Sequence, residues 1–341
     1  MICTFDTTLS LSIESMIILI TGGAGFIGSH LVRHLVKNYP DYFLVNLDAL
    51  TYAADLSRLD DVNNAPNYHF IEGSINDATI IDRLFSTHSI ESVINLAAES
   101  HVDRSIESPL HFTETNIVGT MNLLNACRAH WKKGTNHRFY QISTDEVYGS
   151  LGKKGAFTEQ SPYQPRSPYA ASKASADHMV RAFGETYGLP YLISNCSNNY
   201  GPDQHSEKLI PTLLSCLQQN LPIPIYGDGL NVRDWLYVED HVSAMDVIFH
   251  NGKFGETYLV GGRCEQSNLD VAKTLCRAYD RKVGQVVGTA EKLITFVSDR
   301  PGHDFRYAID PSKLESTLSW SPKTSWAEGI KKTMAAYLDR K

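Results

Sequence analysis

Three groups of residues in this 341-residue chain have the types and spacing of a reaction centre. The first is Thr21-Gly22-Gly23-Ala24-Gly25-Phe26-Ile27-Gly28, which satisfies both G-x-x-G-x-x-G and G-x-G-x-x-G. Glycines so placed permit a tight turn and let backbone N–H groups approach a pyrophosphate at a helix N-terminus. Asp48 follows twenty residues after Gly28. An acid there accepts hydrogen bonds from an adenosine ribose and repels a 2′-phosphate, which points to NAD rather than NADP. The second group is Tyr169 and Lys173, four apart and so on one face of a helix. An ammonium beside a phenol lowers its pKa and makes it a usable base. The third is Ser143-Thr144-Asp145-Glu146, a hydroxyl followed by two acids. Oxidising and re-reducing one carbon needs no such acid pair. Eliminating water needs a base and an acid held in different protonation states.

Each group has a bland reading. Tyr-x-x-x-Lys recurs at Tyr337 and Lys341, and adjacent acids are common in solvated loops. Order sets the first occurrence apart: glycine loop, then hydroxyl and acids, then Tyr and Lys.

These residues need a scaffold that brings loop ends together. Apolar runs at 17–20, 43–47, 69–71, 92–96, 139–142 and 191–195 read as buried strands. Helical stretches at 25–37, 77–86, 110–131 and 169–187 separate them. Continuous apolar strands alternating with helices predict an α/β fold, a Rossmann-type doubly wound parallel sheet covered on both faces. The carboxyl ends of such strands face the ligand crevice, which is where Asp48 and Thr144 fall. After 196 the texture changes, with dense Gly and Pro in Tyr200-Gly201-Pro202 and Pro222-Ile223-Pro224. We read 16–195 as an NAD-binding domain and 196–341 as mainly a smaller substrate-binding lobe. A helix at 238–250 and a strand at 257–260 are expected to return to the main sheet. Residues 1–15 read as an N-terminal extension without the basic and small-residue features of a signal peptide.

Composition narrows the class. Hydrophobic residues make up 42% and charged residues 20%, so the chain can fold around a core. The net charge of −7 argues against a general nucleic-acid binder. No apolar run approaches the roughly 20 residues of a membrane span. Six cysteines at irregular spacing, with no C-x-x-C, read as reduced thiols of a cytoplasmic protein. His30 and His34 lack a companion carboxylate motif, and no metal site is expected.

The order glycine loop, Thr144, Tyr169-x-x-x-Lys173 resembles the extended short-chain dehydrogenases/reductases, over about 16–335. Within them the Thr144-Asp145-Glu146 triplet is similar to that of the dTDP-glucose 4,6-dehydratases. So are Leu96-Ala97-Ala98-Glu99-Ser100-His101-Val102-Asp103-Arg104-Ser105-Ile106, Asn195-Cys196-Ser197-Asn198-Asn199-Tyr200-Gly201-Pro202, Tyr226-Gly227-Asp228-Gly229, Asn231-Val232-Arg233-Asp234-Trp235 and Asp299-Arg300-Pro301-Gly302-His303-Asp304. The resemblance implies a lyase acting on dTDP-glucose with NAD retained through turnover. In its terms Thr144 orients the substrate, Tyr169 exchanges the C4 hydroxyl proton and Lys173 holds the nicotinamide ribose. Glu146 then removes the C5 proton and Asp145 protonates the departing C6 hydroxyl. It implies cofactor contacts at Gly22, Gly25, Phe26, Ile27, Gly28, Asp48, Thr51, Ser74, Ile75, Ala97, Ala98, Ser100, Thr115, Tyr169, Lys173 and Asn199. Substrate contacts carry over to Ser100, His101, Thr144, Asn198, Lys208, Leu209, Pro224, Tyr226, Arg233, Asn268, Asp299, Arg300 and His303. Arg233 is the first choice for the diphosphate, because a guanidinium can engage phosphate oxygens in a fork. Trp235 and Tyr226 could stack on the base, and Trp235 could equally be core.

The chain departs from the family at Gly73-Ser74, where Gly-Asp is usual and the Asp meets the adenine amino group. A serine hydrogen-bonds there without charge. The resemblance also implies a homodimer through the helices near 110–131 and 169–187. The competing readings are a UDP-sugar 4,6-dehydratase, a 4-epimerase or a decarboxylase, and, outside enzymes, a nucleotide-sensing scaffold. A scaffold would be expected to lack the Tyr or the Lys.

Overall fold

The computed structural model describes residues 16–132, 137–299 and 302–339. Its strands are β1 (Ile17–Thr21), β2 (Phe43–Asp48), β3 (Tyr68–Glu72), β4 (Ser92–Asn95), β5 (Arg138–Thr144), β6 (Tyr191–Cys196), β7 (Asn198–Tyr200), β8 (Ile223–Tyr226), β9 (Val232–Tyr237), β10 (Thr257–Val260), β11 (Glu265–Ser267) and β12 (Ile294–Val297). Seven of them form one sheet in the order β10-β6-β5-β4-β1-β2-β3, with every neighbouring pair parallel. Ile18 and Ile20 pack on one face against Leu31 and Leu35 of the helix Phe26–Asn38 and Met245 and Ile248 of the helix Val238–Asn251. Ile17 and Leu19 pack on the other, with Leu84, Leu123 and Val180. Burial on both faces is why these strands read as unbroken apolar runs.

The chain runs outward from β1 to β2 and β3, then returns to β4 beside β1. That reversal opens a crevice at the carboxyl ends of β1 and β4, the place where such sheets bind ligands. The expected helix at 238–250 leads into β10, which pairs with β6 and closes the sheet edge.

The expected helix at 110–131 is present as one unbroken helical run, Pro109–Thr113, a π-helical turn over Glu114–Gly119, and Thr120–His130, with αR backbone at both joins. A further helix, Val102–Glu107, precedes it and stops at Ser108. Pro109 has no N–H for the preceding turn, so the break falls there. The π turn inserts extra backbone beside the crevice, as such turns often do at functional sites, and Thr115 lies within it.

The lobe holds a three-stranded sheet (β11-β9-β7) and a two-stranded parallel pair, β8 and β12. Its core gathers Leu213, Leu217, Ile225, Val271 and Leu275. Trp235 is 5% exposed and belongs to this core, which favours the core reading over base stacking.

Candidate active site

The glycine loop leaves β1 and enters the helix Phe26–Asn38. Gly22 has φ +75°, and a Cβ there would stand 2.7 Å from the Ala97 amide nitrogen. A Cβ on Gly28 would stand 2.1 Å from the Gly22 carbonyl oxygen. Neither position tolerates a side chain, and together they keep backbone open to a dinucleotide. Asp48 ends β2 and its carboxyl oxygens accept from Ala24 N and Leu50 N, each at 2.9 Å. Burial pushes its pKa up, against the pull of those two bonds. Each carboxylate oxygen has a second lone pair for a ribose hydroxyl.

Gly22, Gly25, Phe26, Ile27, Gly28, Asp48, Thr51, Ser74, Ile75, Ala97, Ala98, Ser100, Thr115, Tyr169, Lys173 and Asn199 all line one cavity of about 380 Å³. Thr144, Asp145, Glu146, Asn198 and Lys208 line it as well. The Ser74 hydroxyl accepts from Asn76 N at 3.1 Å, so part of its bonding capacity is spent on its own turn.

At the catalytic end, Thr144 closes β5, and the 3₁₀ turn Asp145–Tyr148 follows directly. Glu146 N donates to Thr144 Oγ1 at 3.3 Å, and that hydroxyl lies 3.3 Å from Asp145 Oδ1. Asp145 is 1% exposed, and its Oδ2 has no hydrogen-bond partner. Burial first, then the charges of Glu146 and Asp234, raise its pKa well above the usual carboxylate range. The enclosed site thus favours the protonated form of Asp145, while Glu146 beside it is half-buried. One buried and one more open carboxyl are the split that acid–base elimination requires.

Tyr169 lies on the helix Pro168–Tyr187, which Ser167 caps, its Oγ accepting from Ala170 N at 3.1 Å. Its phenol hydrogen-bonds Thr144, and its ring meets Phe112 edge-on at 6.3 Å. The expected lowering of its pKa is not what this arrangement produces. Burial and the charge of Glu146 raise it well above 10.0. Lys173 Nζ donates instead to the Ile142 carbonyl at 2.8 Å, and burial lowers its own pKa.

The remaining substrate candidates fall elsewhere. His101 caps the helix Val102–Glu107, its Nδ1 accepting from Arg104 N at 3.4 Å. Leu209 opens the helix Leu209–Gln219, and Asn268 opens Asn268–Val283. Pro224 and Tyr226 are on the exposed face of β8. Asp299 Oδ1 and His303 Nδ1 are 2.7 Å apart, with the Tyr226 ring perpendicular to the imidazole at 6.2 Å. Arg233 donates to the carbonyls of Val232 and Asp304 at 2.8 and 3.0 Å and lies over the Tyr307 ring at 4.3 Å. Its charge acts on Asp145, which ties this lobe grouping to the catalytic end. Arg300 lies outside the described residues, as does the extension at 1–15.

Three comparisons bear on this site. A family model described as GDP-mannose 4,6 dehydratase matches residues 19–333. A dTDP-glucose 4,6-dehydratase of Neisseria meningitidis is 50% identical over 333 residues, covering 95% of this chain and 94% of the relative. The chain belongs to the dTDP-glucose 4,6-dehydratase family. A dTDP-glucose 4,6-dehydratase of Haemophilus influenzae is 48% identical, covering 95% of this chain and 98% of its own. Among solved structures, the dTDP-glucose 4,6-dehydratase of Streptomyces venezuelae with NAD and TYD bound superposes with a TM-score of 0.88. It is 41% identical over 95% of this chain and 98% of that one. The UDP-glucose 4-epimerase of Thermotoga maritima, with UDP-glucose, reaches 0.84 at 30% identity over 95% of this chain and 99% of that one. The fold therefore does not separate dehydratase from epimerase; the side chains must.

Sequence reasoning missed several supports that this dehydratase fold relies on. Asp177 accepts from Ser143 Oγ, Tyr163 OH and Asn195 Nδ2 at 2.8, 2.9 and 3.2 Å, bracing β5 behind the catalytic turn. It stands four residues after Lys173 on the same helix face, the one signal that could have found it. Thr21, Asn95 and Gln141 join across three strands through bonds of 2.6 and 2.9 Å. Cys196, Glu99 and Glu207 also line the cavity, and no spacing rule marks them.

Proposed function

We propose that this chain converts dTDP-glucose to dTDP-4-dehydro-6-deoxy-glucose and water, as an NAD-dependent hydro-lyase. The observation that carries the reading is the split acid pair at the end of β5: Asp145, buried with its pKa pushed up, next to the more open Glu146. An epimerase has no use for it.

The glycine loop and Asp48 would hold the dinucleotide, with Lys173 on its nicotinamide side. When bound, NAD supplies a hydride acceptor for C4, a hydride donor for C6, and a cationic ring whose charge offsets the acids that raise the Tyr169 phenol. With that charge in place Tyr169 would act as the phenolate and take the C4 hydroxyl proton, with Thr144 orienting that hydroxyl. The resulting ketone acidifies the C5 hydrogen, and Glu146 removes it. Asp145 gives its proton to the C6 oxygen, which leaves as water. Glu146 later returns a proton to C5. Arg233, held by two carbonyls and the Tyr307 ring, is the cation we assign to the diphosphate, and Tyr226 the ring that meets the base. Incubation of the purified protein with dTDP-glucose, followed by mass spectrometry, tests the reading. The expected product has lost one water; a product of unchanged mass would favour the epimerase.

Asp145→Asn separates catalysis from stability. Asp145 keeps its proton in the folded chain above the pH at which the unfolded chain releases it. Stability therefore falls as pH rises from the unfolded value of 3.8 toward the raised folded one. A neutral amide escapes that loss. The variant should melt a few degrees higher at neutral pH while turnover falls about 10²–10⁴-fold, the range for a lost general acid. Calorimetry at pH 7 and pH 4 reads the first effect, which should shrink at the lower pH.

We also place the protein in the cytoplasm as a homodimer. Among the described residues no helix is long and apolar enough to cross a membrane, and five cysteines are free thiols. Leu110, Val118 and Tyr187 are exposed on the helices expected to pair, Leu110 by 68%. An apolar face of this kind suits a second copy. Light scattering should give twice the 38.0 kDa chain mass. A concentration-independent monomer would refute the dimer.

A further inference from the structure

The loops that line the cofactor cavity come from three separate parts of the chain. Thr51 and Tyr52 follow β2, the stretch from Ser100 to Arg104 follows β4, and 203–208 belongs to the lobe. One carboxylate joins all three. Glu207 Oε2 is 3.5 Å from Arg104 Nε and 4.0 Å from His101 Nε2, and Oε1 is 3.7 Å from His205 Nδ1. The Tyr52 phenol lies against the same carboxylate, and burial together with the charge of Glu207 pushes its pKa up. The Arg104 guanidinium covers the Tyr52 ring at 3.7 Å, and His205 meets that ring edge-on at 5.5 Å. The next residue repeats the connection: Lys208 Nζ donates to the Ser100 carbonyl at 2.9 Å. Glu207 is only 15% exposed at its side chain, so its charge is shielded from water on most sides.

We propose that Glu207 is a positioning residue for the cofactor: it fastens the lobe segment across the loops at Tyr52 and Arg104 and so slows escape of the dinucleotide. The inference rests on the NAD-dependent reading above. Glu207 also lines the cavity that holds the glycine loop. Thr51 and Ser100 line the same cavity and sit next to the fastened residues. The proposed reaction returns its hydride in every cycle, so slow release of cofactor costs no turnover and protects the half-reacted sugar.

Glu207→Gln keeps the shape and removes the charge; Tyr52→Phe removes one contact and leaves the pairs to Arg104 and His101. The measurement is NAD content per chain after extensive gel filtration, with dissociation followed by dilution into a NAD-trapping enzyme. It does not depend on substrate turnover, so it stands apart from any failure of the dehydratase assay. We expect dissociation about three- to tenfold faster for Glu207→Gln, as befits one partly shielded ion pair, and a smaller change for Tyr52→Phe. Turnover of both should return to the wild-type value when NAD is added in excess. Wild-type retention in both variants would overturn the proposal. So would a loss of content that added NAD does not restore, since that would mean a collapsed cleft rather than an unfastened one.

Discussion

Replacing Glu146 by Gln should abolish formation of the 4-keto-6-deoxy sugar while leaving oxidation at C4. The amide matches the carboxylate in shape, and the turn Asp145–Tyr148 is held by the backbone bond from Glu146 N to Thr144 Oγ1, which the change does not touch. What disappears is the base for the C5 proton. Loss of a positioned general base costs about 10²–10⁴ in rate. Mixing the variant with dTDP-glucose should therefore give a lasting near-ultraviolet absorbance of reduced cofactor and no loss of water. Solvent deuterium should no longer enter C5. Full turnover in this variant would mean that another group takes the proton.

Replacing Tyr169 by Phe should stop the reaction one step earlier. The ring and its edge-on contact with Phe112 remain, so the helix Pro168–Tyr187 should dock unchanged. Only the phenolic oxygen is lost, together with its bond to Thr144. Without an acceptor for the C4 hydroxyl proton, oxidation cannot proceed, and turnover should fall by about 10²–10⁴-fold. The two variants then differ in kind. The Glu146 variant reduces cofactor on mixing with substrate; the Tyr169 variant does not. If both behaved alike, the division of labour along the Thr144-Asp145-Glu146 turn would be wrong.

Most of the sheet was legible because burial on both faces writes strands as unbroken apolar runs, and six were placed from that pattern before β10. The helix at 110–131 was legible as well, but the π turn inside it was not, because nothing in an amphipathic pattern signals one. The catalytic residues were legible for a different reason. Tyr169 and Lys173 are close in sequence, and Thr144, Asp145 and Glu146 are contiguous, so local spacing reports their shared position. Their protonation was only half legible. Asp145 is raised by being enclosed and by Asp234, 89 residues away in sequence and placed by β9. The direction for Tyr169 was missed because burial and Glu146 outweigh a lysine whose Nζ turns to Ile142. Long-range supports such as Asp177 with Asn195, or Glu207 with Arg104, depend on loops meeting in space. No window of sequence contains them.

The central claim is an internal transfer: hydrogen leaves C4, water leaves across C5–C6, and the same hydrogen arrives at C6. The most direct measurement uses dTDP-glucose carrying deuterium at C4, with the product read by mass spectrometry and NMR. The account predicts a 4-keto-6-deoxy sugar with the deuterium in its C6 methyl group and one solvent hydrogen at C5. Deuterium retained at C4 of an epimerised sugar, or a C6 methyl group free of label, would contradict it.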